Sequence, residues 1–523
     1  MENKIKPNGK MENKIKLKGK VLIVYPNKEG TGGIPNQLAL LSGCLKKAGF
    51  ETSCFDTTFL EADAKGHKLR EKHGGRLSVN SEKYWGKWNP EDRDKIPELF
   101  LEKIEKFKPD LIAVNILDMS YKYVISLLKM IKKRYSIPVV AGGPTVTNIP
   151  DQVLNNDCID IICVGEGEGP LTELAECIVN GSDYSSIQNL WIKKNGEIIK
   201  NPNRSNIDIN SIPFQDWTIF DRKHDFKPYM GKFYKTGFFE LARGCPYSCT
   251  YCCTPTHRDS QELLSVSTTT EAFVRHRSID LTLDEIEITI ENYGLELVFF
   301  IDDCFLAMPR QRFEYFCQEY KKRIKLPFYI QTRPESVKPD LLKLLGDVNS
   351  VSGGNSSIAI GVEHGNEALR KKVLNRHMSN DVIAETFDTI HEYGFRSTAN
   401  MIIGMPYDRE ELFIDSINLL KRIKPKSVSL NYFMPYTGTR MRQVAIDMGC
   451  IPKDYIVDSS WSIISVPGFK KDRLQHVYEN FMGFVNGESS WDLFQERGHT
   501  GENSDLGLGR AAKTDVELNV LEC

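Results

Sequence analysis

Short apolar runs alternating with amphipathic stretches govern this chain from about Lys18 onward. Val21–Tyr25 is an unbroken apolar run of the kind that fills a buried parallel strand. A helix is expected near Pro35–Gly49, closed by Gly49, and a second strand at Thr52–Phe55. The stretch from about Leu60 to Asp94 is polar and irregular, holds His67, His73, Trp85 and Trp88, and reads as an insertion. The alternation then resumes with helix Pro97–Phe107, strand Leu111–Leu117, helix Tyr121–Tyr135, strand Pro138–Ala141, helix Asp151–Asn155, strand Ile159–Val164 and helix Leu171–Val179. Strands separated by helices predict an α/β fold with a doubly wound parallel sheet. Trp191–Ile199 reads as a hairpin turning at Asn195-Gly196.

A Pro-, Asp- and Asn-rich linker is expected over 200–235, and a second strand–helix series follows. Its strands are expected at Phe238–Ala242, Leu297–Ile301, Phe328–Gln331, Ser357–Val362, Ala399–Ile403 and Val428–Phe433. This divides the chain into a leader (1–17), a first domain (18–199), the linker, a second domain (236–450) and a tail (451–523). The leader repeats Met1–Lys6 as Met11–Lys16 and reads as disordered, with a second start at Met11. The tail predicts one helix, Asp472–Val485, and disorder after about Gly498.

The 523 residues are 41% hydrophobic and 26% charged, ordinary for a soluble globular protein of two or three domains. The formal net charge of −2 provides no global field to recruit nucleic acid or an anionic membrane. No apolar run reaches the roughly 20 residues of a transmembrane helix. The polar, lysine-rich N-terminus is not a secretory signal, so a reducing cytoplasm is the expected compartment.

Chemistry concentrates in Ala242-Arg243-Gly244-Cys245-Pro246-Tyr247-Ser248-Cys249-Thr250-Tyr251-Cys252. Three thiolates spaced C-x-x-x-C-x-x-C can hold three irons of a four-iron cluster, leaving the fourth open to a substrate. A zinc knuckle that adds Cys253 or His257 is the rival reading, although no second C-x-x-C pair lies nearby. Thirteen scattered cysteines do not make a disulfide framework.

The cysteine run resembles that of the radical S-adenosylmethionine (SAM) enzymes. The resemblance implies a [4Fe-4S] cluster on Cys245, Cys249 and Cys252 whose open iron chelates SAM, and a partial (β/α)6 barrel built from the six later strands. In a barrel the chemistry sits at the C-terminal strand ends, and the cysteine loop follows the first strand of the series.

Two glycine-rich turns close strands of the first domain, Gly142-Gly143-Pro144 and Gly165-Glu166-Gly167-Glu168-Gly169-Pro170. Such turns either let backbone approach a ligand closely or simply tighten a strand–helix junction. With Ile212-Pro213-Phe214-Gln215-Asp216-Trp217, Arg275-His276-Arg277, Asp302-Asp303, Thr332-Arg333, Gly361-Val362-Glu363-His364-Gly365, Gly404-Met405-Pro406 and Pro435–Thr439, in that order, the chain between Lys18 and Ser490 resembles the radical SAM enzymes that carry a cobalamin-binding domain. The resemblance implies a Rossmann-like cobalamin domain, a radical SAM barrel and a small helical C-terminal region. The cobalt-ligating histidine of many cobalamin proteins (D-x-H-x-x-G) is missing from Pro26–Gly33. That implies a cobalt without this lower ligand unless His67 or His73 reaches it, and both read more readily as surface histidines.

The resemblance also assigns expected roles. Gly142, Gly143, Gly165, Glu166 and Gly167 line the cobalamin site. Tyr251 packs near the adenine and shields the cluster, or is simple core. Asp302 and Asp303 meet the SAM ammonium, or cap a helix. Arg333 meets the SAM carboxylate or a substrate anion, and Glu363 the ribose hydroxyls, or both form ion pairs inside the barrel. Gly404 and Pro406 shape the adenine pocket through backbone. The expected activity is methylation of an unactivated carbon of a small molecule or peptide, with electrons from a donor such as flavodoxin or ferredoxin. Rival expectations are a cyclase or rearrangement enzyme with the same cofactors and a non-catalytic cobalamin or iron–sulfur sensor. A methylthiotransferase is disfavoured, because Cys44, Cys54, Cys158, Cys163 and Cys177 form no second triplet.

Overall fold

The computed structural model describes residues 18–27, 32–60, 82–86, 91–263, 273–459 and 463–489. Two seven-stranded sheets organise them. The first comprises β1 (Lys20–Tyr25), β2 (Glu51–Asp56), β3 (Leu111–Asn115), β4 (Val139–Gly142), β5 (Ile161–Cys163), β6 (Leu190–Lys194) and β7 (Glu197–Lys200). Its order is β2-β1-β3-β4-β5-β6-β7. β1 to β5 are parallel, and β6 and β7 add an antiparallel hairpin. The predicted turn carries that hairpin, with Asn195 and Gly196 both at positive φ. Val21, Leu22, Ile23 and Val24 are all buried, because helices cover both faces of the sheet.

The second half contains β8 (Phe226–Tyr229), β9 (Lys232–Phe239), β10 (Ala242–Arg243), β11 (Arg275–His276), β12 (Leu297–Phe300), β13 (Phe328–Thr332), β14 (Ser357–Glu363), β15 (Arg396–Ile403) and β16 (Ser427–Tyr432). β9, β12, β13, β14, β15 and β16 run parallel in that order, with a helix after each, as a partial (β/α)6 barrel. The first outer helix, Ile279–Tyr293, starts where the Ser278 hydroxyl accepts from the Leu281 N–H and stops at Gly294 in the left-handed region. The C-terminal helix Lys471–Asn486 packs on helix Glu410–Ile423.

Two stretches differ from expectation. The end of the predicted linker is structured, since β8 and the start of β9 form an antiparallel hairpin along the barrel edge. Beyond Leu60 the predicted insertion is described only at 82–86 and 91–94, and there Trp85 is buried. Its indole Nε1–H donates to the Phe226 carbonyl at 3.2 Å, so burial there outweighs the polar sequence around it. His67 and His73, the leader and the residues after Gly498 lie outside the described residues.

The Ile212–Trp217 motif joins the halves. The Asp216 carboxylate accepts from Ser42 Oγ at 2.6 Å and pairs with Lys46 Nζ at 2.8 Å, both on helix Asn36–Lys47. The neighbouring Gln215 N–H donates to Glu285 on helix Ile279–Tyr293 at 2.7 Å, and Trp217 stacks on Tyr293.

Candidate functional site

The C-terminal strand ends of the two sheets face one another across a cavity of about 660 Å³. Ile23, Leu38, Ala113, Val140 and Leu171 supply an apolar floor on the first-domain side. Gly142, Gly143, Gly165, Glu166 and Gly167 all line it. Gly143 lies at φ +109°, and a Cβ there would stand 2.4 Å from Asn115 Oδ1, so no other residue fits this turn. The barrel side contributes Glu240, Ala242, Arg243, Gly244, Thr254, His257 and Asp303.

Glu166 lines the cavity, and its carboxylate is engaged by two arginines. It takes Arg275 at 2.7 and 3.0 Å and Arg243 at 2.9 Å, while Arg243 also reaches Glu168 and Glu240 at 2.8 Å each. Burial acts to raise the Glu166 pKa, but the Arg275 and Arg243 guanidiniums outweigh it and hold the carboxyl below its ordinary range. The two glutamates of the Gly165–Gly169 turn therefore clasp the barrel through their carboxylates. A second tie joins Asp118 to Thr437, and Asn148 Nδ2 donates to the Thr437 carbonyl at 2.7 Å.

The cysteine loop leaves β9 through β10. Burial pushes the Cys245 thiol up to about 12 and raises Cys252, so thiolates here require a cation to compensate them. Among the described residues no three His, Cys, Asp or Glu side chains converge on one point. A cluster needs no such convergence, because each sulfur takes a different iron. Cys249 is buried beneath two guanidiniums, Arg333 Nη1 at 3.1 Å and Arg376 Nη1 at 3.6 Å from its sulfur. Arg333 also lies 3.8 Å over the Tyr247 ring and pairs with Glu335, so the structure brings it to the cysteine loop rather than to open space.

Glu363 ends β14 at φ +68°, where the pairing with β15 shifts register between Gly361 and Glu363. A non-glycine residue held in that conformation is a recurrent mark of functional sites. Its carboxylate is buried, close to Tyr251 and 3.9 Å from Arg376. A Cβ on Gly361 would stand 2.4 Å from Glu363 Oε1, so the glycine makes room for that carboxylate.

The adjacent aspartates part company. Asp303 lines the cavity and takes Thr254 Oγ1 at 3.4 Å. Asp302 turns away from the cavity, is buried and accepts the Leu241 N–H at 3.1 Å, which pins the chain where it leaves β9. Among the described residues its Oδ1 has no hydrogen-bond partner, and burial holds its pKa up at about 7. Gly404 and Pro406 do not line the cavity. The Gly404 N–H donates to Asp408 Oδ2 at 2.9 Å, and its Cα lies under Leu474 of the C-terminal helix.

His224 is fully buried between Gly33 and Asp56, bonded to the Gly33 carbonyl at 3.0 Å. The imidazole on the cavity wall belongs to His257 of the barrel. Arg243, Arg275, Arg376 and Glu240 were not singled out from sequence, although the first two stand inside recognised motifs, and His257 was read only as an alternative zinc ligand.

The architecture is that of an α/β cobalamin-type domain docked on the mouth of a partial barrel. Residues 87–175 match the B12 binding domain model and residues 239–420 the Radical SAM superfamily model. The chain is a radical SAM enzyme of the cobalamin-binding family, and its cofactors are a [4Fe-4S] cluster, SAM and cobalamin. It is 24% identical over 349 residues to an uncharacterized methyltransferase of Pyrococcus horikoshii, covering 66% of this chain and 71% of that one. It is 24% identical over 328 residues to the cobalamin-dependent radical SAM methyltransferase TokK of Streptomyces tokunonensis, covering 60% of this chain and 45% of TokK. Among solved structures, the methyltransferase TsrM of Kitasatospora setae superposes with a TM-score of 0.59 at 17% identity, over 83% of this chain and 77% of TsrM. No described helix is long and apolar enough to cross a membrane.

Proposed function

We propose that this enzyme is a cobalamin-dependent radical SAM methyltransferase that methylates an unactivated carbon. The observation that carries the reading is the single cavity, with glycine turns of the first domain on one wall and the start of the cysteine loop on the other. When bound, the cluster supplies the electron that cleaves SAM, and cobalamin supplies a methyl carrier. The residues fit these groups. Cys245, Cys249 and Cys252 provide three thiolates. Gly142-Gly143 and Gly165–Gly167 present backbone to a large planar ligand above an apolar floor.

The remaining roles belong to this chain's own side chains. Asp303 gives the barrel wall a carboxylate suited to an ammonium group. The buried Glu363 and the half-buried Tyr251 place polar groups beside Cys249. The Glu166–Arg243–Arg275 clasp keeps the domains closed on each other and water out. The methyltransferase names of the relatives favour transfer over rearrangement.

The test is anaerobic reconstitution with iron, sulfide and hydroxocobalamin, followed by SAM and a low-potential reductant. Bound cobalamin together with 5′-deoxyadenosine, and a product one methyl group heavier than its substrate, are expected. Deoxyadenosine without bound cobalamin would overturn the reading, and a product of unchanged mass would replace transfer with rearrangement.

A further inference from the structure

We infer that Arg376, with Arg333, is a positioning residue that holds up the reduction potential of the cluster through the sulfur of Cys249. Both guanidiniums donate to that sulfur, at 3.6 and 3.1 Å. Arg376 is itself 2% exposed, so little water screens its charge. It is held from two sides. Its Nη2 donates to the Gly361 carbonyl, and Glu363 lies 3.9 Å from its Nη1. The register shift and the left-handed Glu363 at the end of β14 thus build the seat for this cation. The loop it belongs to is fastened to the cysteine loop, since Thr250 donates from its hydroxyl to the Val373 carbonyl at 2.7 Å and Asn375 Nδ2 donates to the Ser248 carbonyl at 2.9 Å.

The electrostatics give the sign. One electron from an external low-potential donor makes the thiolate-bound cluster one unit more negative, and no bond or proton moves. Nearby fixed cations and N–H donors on a ligating sulfur stabilise the reduced state more than the oxidised state, which raises the potential. Burial in low dielectric enlarges the effect. Arg376 is not among the residues that line the cavity between the two sheets, and its contact with the cysteine loop is the one to Cys249, so its action runs through that sulfur.

The inference rests on the cluster assignment, and one experiment separates the two. The holoenzyme, reconstituted without SAM, is titrated with reductant and followed by electron paramagnetic resonance and iron content. Absence of a reducible cluster signal in the unmodified protein would sink the assignment itself. With the cluster present, Arg376→Gln is expected to keep its iron and shift the reduction equilibrium at least tenfold toward the oxidised state, about 59 mV for one electron. Arg376→Lys, which restores charge, is expected to recover at least half of that shift. An unchanged potential at full iron content overturns the inference. If Arg376→Gln cannot hold iron, Arg333→Gln carries the test. A lowered potential in Arg333→Gln supports the inference, and an unchanged one refutes it.

Discussion

Asp118 and Thr437, 319 residues apart, are joined by two hydrogen bonds, from the Thr437 N–H at 2.7 Å and from its hydroxyl at 2.8 Å. Thr145 of the first domain donates to the same buried carboxylate at 2.5 Å. The contact ties the Pro435–Thr439 turn of the barrel to the first domain, beside the cavity wall formed by Gly143 and Pro144. A double-mutant cycle of Asp118→Asn with Thr437→Val should give a coupling of about 1 kcal/mol in denaturant unfolding. Strict additivity would remove this contact from the forces that dock the domains.

The clasp makes a larger prediction. Glu166→Ala leaves the Arg243 and Arg275 guanidiniums facing each other without their shared carboxylate. Breaking a largely buried pair in this way costs roughly 3 kcal/mol. The loss should appear as a lower urea midpoint and weaker retention of cobalamin on gel filtration. A midpoint within a few tenths of the unmodified protein would show that Glu168 and Glu240 suffice.

Asp302 should set a pH dependence. Burial raises its pKa from 3.8 to about 7. Between those values the folded protein keeps a proton that the unfolded chain has released, so this group lowers stability as pH rises through that window. Asp302→Asn removes the effect, and its stability relative to the unmodified protein should rise from pH 4 to pH 8 by up to roughly 4 kcal/mol. Urea midpoints measured at several pH values decide it, and parallel pH profiles for the two proteins would contradict the buried-acid account.

Single substitutions Cys245→Ala, Cys249→Ala and Cys252→Ala should each abolish iron-dependent absorbance and SAM cleavage while leaving cobalamin binding intact. The cavity floor that faces the first domain contains none of the three. Loss of cobalamin in all three variants would mean that the cysteine loop shapes both sites.

Much of the fold was legible because its signals are local. The apolar runs that became β1, β3, β13 and β14 lie within a residue or two of their expected bounds, and Gly142-Gly143 and Gly165–Gly167 reached the cavity as glycine turns at strand ends do. What sequence could not separate were adjacent residues on opposite sides of one chain. Asp302 and Asp303 look equivalent in the string, yet the end of β12 sends one behind the barrel wall and the other into the cavity. Glu166 reaches the cavity wall, but the partners of its carboxylate, Arg243 and Arg275, come from a different domain and leave no signal at the turn itself. Arg376 carried no local signal. Its meeting with Cys249 spans 127 residues and depends on the seat made at Gly361 and Glu363.

The face-to-face arrangement of the two sets of strand ends has a geometric consequence for substrate choice. A ligand held on the Gly142-Gly143 turn and a nucleoside held over the cysteine loop would leave the substrate only the gap between them. That gap would work as a caliper. It would measure the thickness of the group presented for reaction, and the ion pairs between the domains, such as Glu166–Arg275, would fix its width.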